Sequence, residues 1–412
     1  MNASLPDTSA IYVSSKLARF SLYLFTIGWS LAALFRMAKA DGLSSGIASG
    51  VMLVVLAVLF IAWLAAAAER KSFTWRDTTL VGFLFIAAVV PVLLPPDLGT
   101  RVTWPWIVAH AVLLLFVGLH SAFHRRDVTH CLTVLMISSV VSIVFGANAF
   151  LVDPRNLFFS GRLTGVLGHP NLTGIAAVLG ILLCLSNRRL LSALGVSSII
   201  VLLCSFSITS FVALAVGGVL IYTTNRALRA SAALLALTSY FVPLLLVALF
   251  ARGLNVQLFT GRVAVWEWIA SLHFNALFGN GLTLFEDQAA RHWIPWVHAH
   301  NQLLMDLATG GLILASVTII IVLALWSRAL SAIDPLPLSI CAILTVHCFS
   351  EVPFFLDSPS GRLVLLVPLV LTILSKADIL SDKKPSHSRL ALGQVEQKDR
   401  VLRNGANRSP VN

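Results

Sequence analysis

Two histidines and an asparagine, His298, His300 and Asn301, stand where a polar stretch runs into a long apolar one in the segment WVHAHNQLL, 296–304. A histidine partly withdrawn from water is neutral near pH 7 and can accept a proton. Asn301 could orient that histidine or a substrate. Three stretches between apolar runs hold the other candidate ionisable residues. Arg155, Arg162 and His169, with Asn171 beside them, lie in 153–174. Arg262 and Arg291 lie with the histidines in 252–300, and Glu351, Asp357 and Arg362 lie in 350–362. Arginine is the informative type, because a planar guanidinium grips phosphate oxygens in pairs where an ammonium acts as a point charge. Together these residues suit an anionic, phosphate-bearing ligand held by arginines, with an imidazole at hand to move a proton. The plainer readings are arginines resting at lipid headgroups and histidines capping a helix. A metal site would need carboxylates at ligand spacing, whereas Glu286 and Asp287 are adjacent.

The elements that must position these residues follow from composition. Of 412 residues, 58% are hydrophobic and 11% charged, against about 25% charged in soluble domains. This is the composition of an integral membrane protein. A bilayer core about 30 Å thick takes roughly 20 apolar residues per helical span. Apolar runs of suitable length lie near 17–35, 46–67, 79–94, 104–120, 130–151, 170–186, 190–206, 208–222, 231–250, 302–326, 335–350 and 361–375. The expected fold is therefore all-α and polytopic, with about twelve transmembrane helices. It has a long outer loop over about 251–300 carrying short interfacial helices. The expected transmembrane domain is 1–375, followed by a cytoplasmic, disordered tail over 376–412.

Basic residues near span ends are retained on the cytoplasmic side. The connections ERKSFTWRD, HRRD, NRR, NRALR and WSR, and the tail from Lys376, fall alternately as one face should. Arg36 and Lys39 break this pattern by falling outside, against five later connections. Both termini are expected in the cytoplasm of a multi-pass plasma (inner) membrane protein, and the three polar stretches on the outer face. The net charge of +11 is spread over short connections and a polar tail, which suits anionic lipid rather than nucleic acid. The first apolar run lacks a small-residue cleavage site and is expected to stay. Cys131, Cys184, Cys204, Cys341 and Cys348 fall within spans and read as small buried hydrophobes, without disulfide or metal spacing.

Within the long loop, Thr260 is a candidate N-cap for a helix with Arg262, Trp266 and Ile269 on one face. That helix is expected along the membrane surface with its tryptophan at the interface. FGNGL, 278–282, then breaks it. If helical geometry extends back to 298, His298 and Asn301 share a face and His300 points elsewhere.

At these residues the sequence resembles the O-antigen ligase and O-antigen polymerase (Wzy-type) superfamily of bacterial envelope enzymes. The resemblance rests on TGR at 260–262 with Trp266, FGNGL, HAHNQLL at 298–304 followed by TGG, Glu351 in a later outer turn, and GRLTGVLGHPNLTG at 161–174. The ordered set covers nearly half the chain. It implies a GT-C-like, metal-independent, inverting glycosyltransferase without a cofactor, acting in cell-surface polysaccharide (O-antigen or exopolysaccharide) biosynthesis. Its substrate would be an undecaprenyl-diphosphate-linked oligosaccharide, and its partners membrane lipid and a chain-length regulator. Carried over by position, Arg162 and Arg262 would hold the diphosphate, with Arg155, Arg291, His169, Asn171, Asn301 and Glu351 around the substrate. His300, or His298, would assist the acceptor hydroxyl. The chain departs from the family at Ala276, where proline usually precedes the glycine pair, and at Ile208, where an arginine often stands in the sequence SITS. A transporter or flippase of lipid-linked sugars is the main alternative; it predicts midplane charges and repeated halves, neither of which is evident. The GHPN stretch favours polymerase over ligase.

Overall fold

The structure of the protein is a computed structural model and describes residues 8–37, 123–151, 161–223, 225–245, 262–272, 275–281, 284–285, 299–332, 334–353 and 359–374. The predicted runs 46–67, 79–94 and 104–120 lie outside these residues, as do parts of the long loop. The chain divides into a unit of Met1–Ser375 and a unit of Lys376–Asn412. All described elements belong to the first.

That unit is mostly helical. Its helices are α1 (Thr8–Met37), α2 (Arg125–Val141), α3 (Pro170–Ser186), α4 (Ala193–Ser205), α5 (Ile208–Tyr222), α6 (Arg226–Ser239), α7 (Arg262–Ser271), α8 (Gln302–Leu330), α9 (Pro335–Ser350) and α10 (Pro359–Leu374). Among the described residues, Ala18–Phe35, Arg125–Gly146 and Gln302–Leu330 are long and apolar enough to cross a membrane, and six shorter apolar helices accompany them. Two departures from the expected boundaries share one cause. Helix α2 starts in the basic connection HRRD and α6 in NRALR, because polar residues there cap the first turn. Asp127 accepts the His124 N–H at 2.8 Å, and Asn225 accepts those of Ala227 and Leu228 at 2.9 and 3.2 Å. The fold is also not purely helical. Phe150–Leu151 and Arg162–Leu163 form a short antiparallel ribbon, β1 and β2, which pairs Leu151 with Arg162.

Helices α3 and α9 are apolar on every side and sit in the middle. Every residue of α3 from Pro170 to Cys184 is buried, as is nearly all of α9. A helix without a polar face is stable only where neighbours or lipid surround it. Around this centre, α4, α5 and α6 turn large apolar side chains outward, including Leu203, Ile208, Val212, Leu234 and Leu235. In water that surface would aggregate; against lipid it is the favoured one. The bundle has two chemically distinct ends. Arg125, opening α2, bonds Asp334 at 2.9 Å before α9 and also reaches Ser186, which closes α3. The start of α3 and the end of α9 therefore lie together at the opposite end.

Helix α8 is interrupted. Gly311 has φ 65° and ψ −160°, which breaks the helical hydrogen-bond ladder. The segment Asn275–Gly281 fills the gap with its own backbone. Asn280 and Gly281 donate to the carbonyls of Ala308 and Thr309 at 2.8 and 2.9 Å, and Leu312 and Ile313 donate back to Ala276 and Leu277 at 2.8 and 3.3 Å. FGNGL thus joins a backbone clasp, in place of the simple break expected. Only glycine fits on either side of it. A Cβ at Gly279 would lie 2.5 Å from the Thr309 carbonyl carbon, and one at Gly311 would strike the Leu277 carbonyl. Gly311→Ala or Gly279→Ala is expected to lower stability by about 1–3 kcal/mol from backbone strain alone, with the clash adding to it. Thermal unfolding in detergent measures this, with Gly218→Ala, whose Cβ meets nothing within 4 Å, as the control that introduces neither clash nor strain.

Candidate functional site

At the end of the bundle opposite Arg125, three separate parts of the chain converge on one carboxylate. Glu351 follows the last turn of α9, its N–H bonded to the His347 carbonyl at 2.8 Å, and its side chain is 1% exposed. Its Oε1 accepts from the Asn171 side-chain amide, faces the Arg262 Nη2 at 3.3 Å and lies 3.8 Å from His300 Nδ1. Asn171 passes the link on. Its Oδ1 accepts from Arg162 Nη2 at 2.6 Å, while Arg162 Nε donates to the Ser205 carbonyl at 3.0 Å.

Each partner is placed by local structure. The β1–β2 ribbon fixes the backbone at Arg162. Asn171 occupies the first turn of α3, which begins at Pro170 with His169 as its N-cap; His169 Nδ1 accepts the Asn171 N–H at 3.3 Å. Arg262 opens α7, which is held by Trp266. The indole is wholly buried, donates to the Ala299 carbonyl at 2.9 Å and meets Phe349 edge-on. The surface helix with an interfacial tryptophan is therefore corrected. Val263, Val265, Trp266 and Ile269 form a second small core with Leu304, Met305 and Val352, because the apolar face finds protein to cover it.

His300 precedes α8 and has φ 52°, a left-handed conformation that costs a residue with a side chain about 1–3 kcal/mol and tends to persist where surroundings impose it. Those surroundings are the next residue. Asn301 caps α8 by accepting the Leu304 N–H at 2.9 Å and donates to the carbonyls of Cys348 and Phe349 at 2.8 and 3.3 Å. Its amide is fully buried and committed to tying α8 to α9. Helical geometry starts only after Asn301, so the expectation of a shared helical face for His298 and Asn301 does not apply.

The structure thus brings together Arg162, Asn171, Glu351, Arg262 and His300, with His169 and Asn301 immediately behind them. Arg155, Arg291, His298, Thr260 and Asp357 lie outside the described residues. Ile208, where an arginine often stands in the resembling family, is 75% exposed, and its neighbours Thr209 and Ser210 face α9 instead. Thr209 Oγ1 meets Ser350 Oγ at 2.7 Å, and Ser210 Oγ meets His347 Nε2 at 3.2 Å. His347 is a site neighbour that the sequence reading missed. A wholly buried histidine inside an apolar helix is costly enough to be a signal in itself.

The electrostatics follow from the count. Among the described residues of the cluster, two guanidiniums stand with one carboxylate at the edge of an apolar bundle, where the low effective dielectric strengthens their charges. Glu351 pairs with Arg262 directly and reaches Arg162 through Asn171. Arg262 Nε has no hydrogen-bond partner among the described residues. Among those residues, no three His, Cys, Asp or Glu side chains gather as a metal ion would require. The cluster can bind an anion and has an imidazole beside it.

Fold and site together define a bundle of apolar helices with a cationic cluster, centred on a carboxylate, at one end. No protein-family model matches the chain, and no curated protein or solved structure does.

Proposed function

We propose that the protein is a membrane glycosyltransferase of the O-antigen polymerase and ligase type. In this reading it moves a glycan from an undecaprenyl-diphosphate donor to an acceptor hydroxyl at the outer leaflet of the plasma membrane. The observation that carries it is the convergence of Arg162, through Asn171, with Arg262 and His300 on the buried Glu351. The basic turns and helix starts around Arg125, Arg188, Arg189 and Arg328 support the orientation, since they fall at the other end of the bundle, where the positive-inside rule places the cytoplasm.

In the reaction, the acceptor oxygen attacks the anomeric carbon, the bond from that carbon to the phosphate oxygen breaks, and the lipid diphosphate departs. Arg262 and Arg162 stabilise the charge that builds on the leaving diphosphate, which is the largest electrostatic demand of such a step. His300 takes the acceptor proton as the new glycosidic bond forms with inversion. Glu351, on the Nδ1 side of the ring, orients the imidazole and favours the imidazolium that results. The arginines supply the counter-charge here, so no metal ion is invoked.

An interrupted helix such as α8 is also a feature of transporters. Here, however, the backbone groups freed at Gly311 are taken up by Asn275–Gly281 rather than left lining a path. The test is reconstitution of the purified protein with lipid-diphosphate-linked repeat units. Glycan of higher molecular weight is expected with chelator present. Movement of donor across the bilayer without a new glycosidic bond would favour the transporter, and activity lost to chelator and restored by a divalent ion would overturn the metal-free step. A deletion strain separates the two transferases: single repeats accumulate if a polymerase is missing, and free lipid-linked polymer if a ligase is.

A further inference from the structure

Helices α4 and α5 are joined by only two residues, Phe206 and Ser207, and Phe206 turns the chain with φ 45°. Helices so connected usually pack on each other along their length. These do not. Each packs on α3 instead, and the space between them is a groove of about 390 Å³ floored by Ile181 and Leu185 of α3. One wall is Leu202 and Leu203 of α4, the other Phe211, Leu214 and Gly218 of α5. Every lining side chain is apolar, and Leu203 and Phe211 are 55% and 39% exposed, so the groove opens sideways, towards where lipid lies. Two consecutive glycines shape its α5 wall. A Cβ on Gly217 would press on Leu182 of α3, while one on Gly218 would point into empty space.

The upper end of the groove adjoins the cationic cluster. Leu203 lies two residues before Ser205, whose carbonyl binds Arg162 Nε, and Phe211 lies two residues after Thr209, which bonds Ser350 next to Glu351. A ligand with a phosphate on Arg162 and a hydrocarbon chain entering the membrane from there has this apolar channel directly beneath it.

We propose that the groove between α4 and α5 holds the polyisoprenyl chain of the donor lipid whose diphosphate sits at Arg162 and Arg262. The inference rests on the proposed function and adds to it a site for the carrier chain. The chain, laid along Leu203, Phe211 and Leu214, would fix the direction from which the diphosphate meets the arginines. Donors with short chains would bind without that guide. An ordinary phospholipid is the competing occupant. One from the opposite leaflet would set its phosphate at Arg188 and Arg189, which line a second cavity at the groove's lower end together with Leu185 and Leu190.

Gly218→Phe tests this, because Gly218 lines the groove and a Cβ there meets nothing within 4 Å, which leaves the ring to fill the groove. Transfer is measured in detergent for two donors carrying the same glycan diphosphate, one on a full-length polyprenyl chain and one on a chain of two isoprene units. The variant is expected to lose about tenfold in rate at limiting long-chain donor, the effect of losing roughly two buried methylenes, and to match the wild type on the short-chain donor. Equal rates for variant and wild type on both donors would overturn the groove and leave the transferase standing. Equal losses on both donors would also overturn it, as general damage. No transfer by the wild type from either donor would instead remove the transferase reading, and the groove's occupant with it. As a second measurement independent of the variant's folding, a photoreactive residue at Leu203 is expected to capture the polyprenyl chain of labelled donor. Capture of phospholipid alone overturns the proposal.

Discussion

Replacing Arg262 with Ala is expected to lower glycan transfer by about 10³-fold, the loss typical when a cation facing a departing phosphate or oxyanion is removed. Accumulation in the membrane should stay close to wild type. The two halves of this expectation come from different contacts. Arg262 meets Glu351 with one nitrogen at 3.3 Å, and its side chain keeps 18% exposure, so part of the guanidinium remains within reach of a ligand. Glu351 keeps its bond from Asn171 when Arg262 is gone. Arg262→Lys restores the charge without the fork and should recover only part of the rate. Arg162→Ala is the informative contrast. Arg162 bonds the Ser205 carbonyl and the Asn171 side chain, so its loss should reduce both transfer and accumulation. Assays of purified variants at matched protein amounts, with detergent-solubilised yield scored alongside, check this. Normal transfer by Arg262→Ala would remove the arginine from the chemistry.

The second large effect is expected at His300. Loss of a general base costs about 10²–10⁴-fold in rate, so His300→Ala should be nearly inactive. His300→Gly sharpens the test. It removes the same imidazole while relieving the left-handed backbone at φ 52°, a conformation glycine adopts freely. The glycine variant should therefore be as inactive as the alanine variant and unfold at a temperature no lower than wild type, with the relief worth about 1 kcal/mol. A histidine that served only to cap α8 would behave differently. Cap loss costs stability, yet Asn301 supplies that cap, so the measurement separates chemistry from structure. Substantial transfer by His300→Gly would assign the proton to another group.

Much of the helical scaffold was legible in the sequence because long apolar runs have few alternatives near lipid. The runs at 17–35, 170–186, 208–222, 302–326 and 335–350 correspond to α1, α3, α5, α8 and α9. The start of α3 was written in His169 and Pro170, one a side chain that can accept a backbone N–H and the other a ring without one to satisfy. What the runs do not carry is which faces meet. Trp266 was placed at the membrane surface because helical spacing shows that a helix has an apolar face without showing what covers it. The clasp between Asn275–Gly281 and the break at Gly311 joins segments some thirty residues apart through backbone alone, and nothing in their side chains announces it. His347 stands alone inside an apolar run, so no polar neighbour in the sequence marks it as part of the site.

The sequence by itself determined the material of this protein. It is a set of apolar helices, with arginines and histidines gathered chiefly near helix ends and in the stretches between them, because charge is costly in a hydrocarbon environment and periodic apolarity leaves little choice of backbone. Only the tertiary structure decided that Asn171, Arg262 and His300 share one carboxylate, with Arg162 joined to it through Asn171. These residues come from distant parts of the chain, and their meeting depends on how α3, α7, α8 and α9 pack. Packing is fixed by the complementarity of whole helix faces, a property of pairs of segments that no single segment displays.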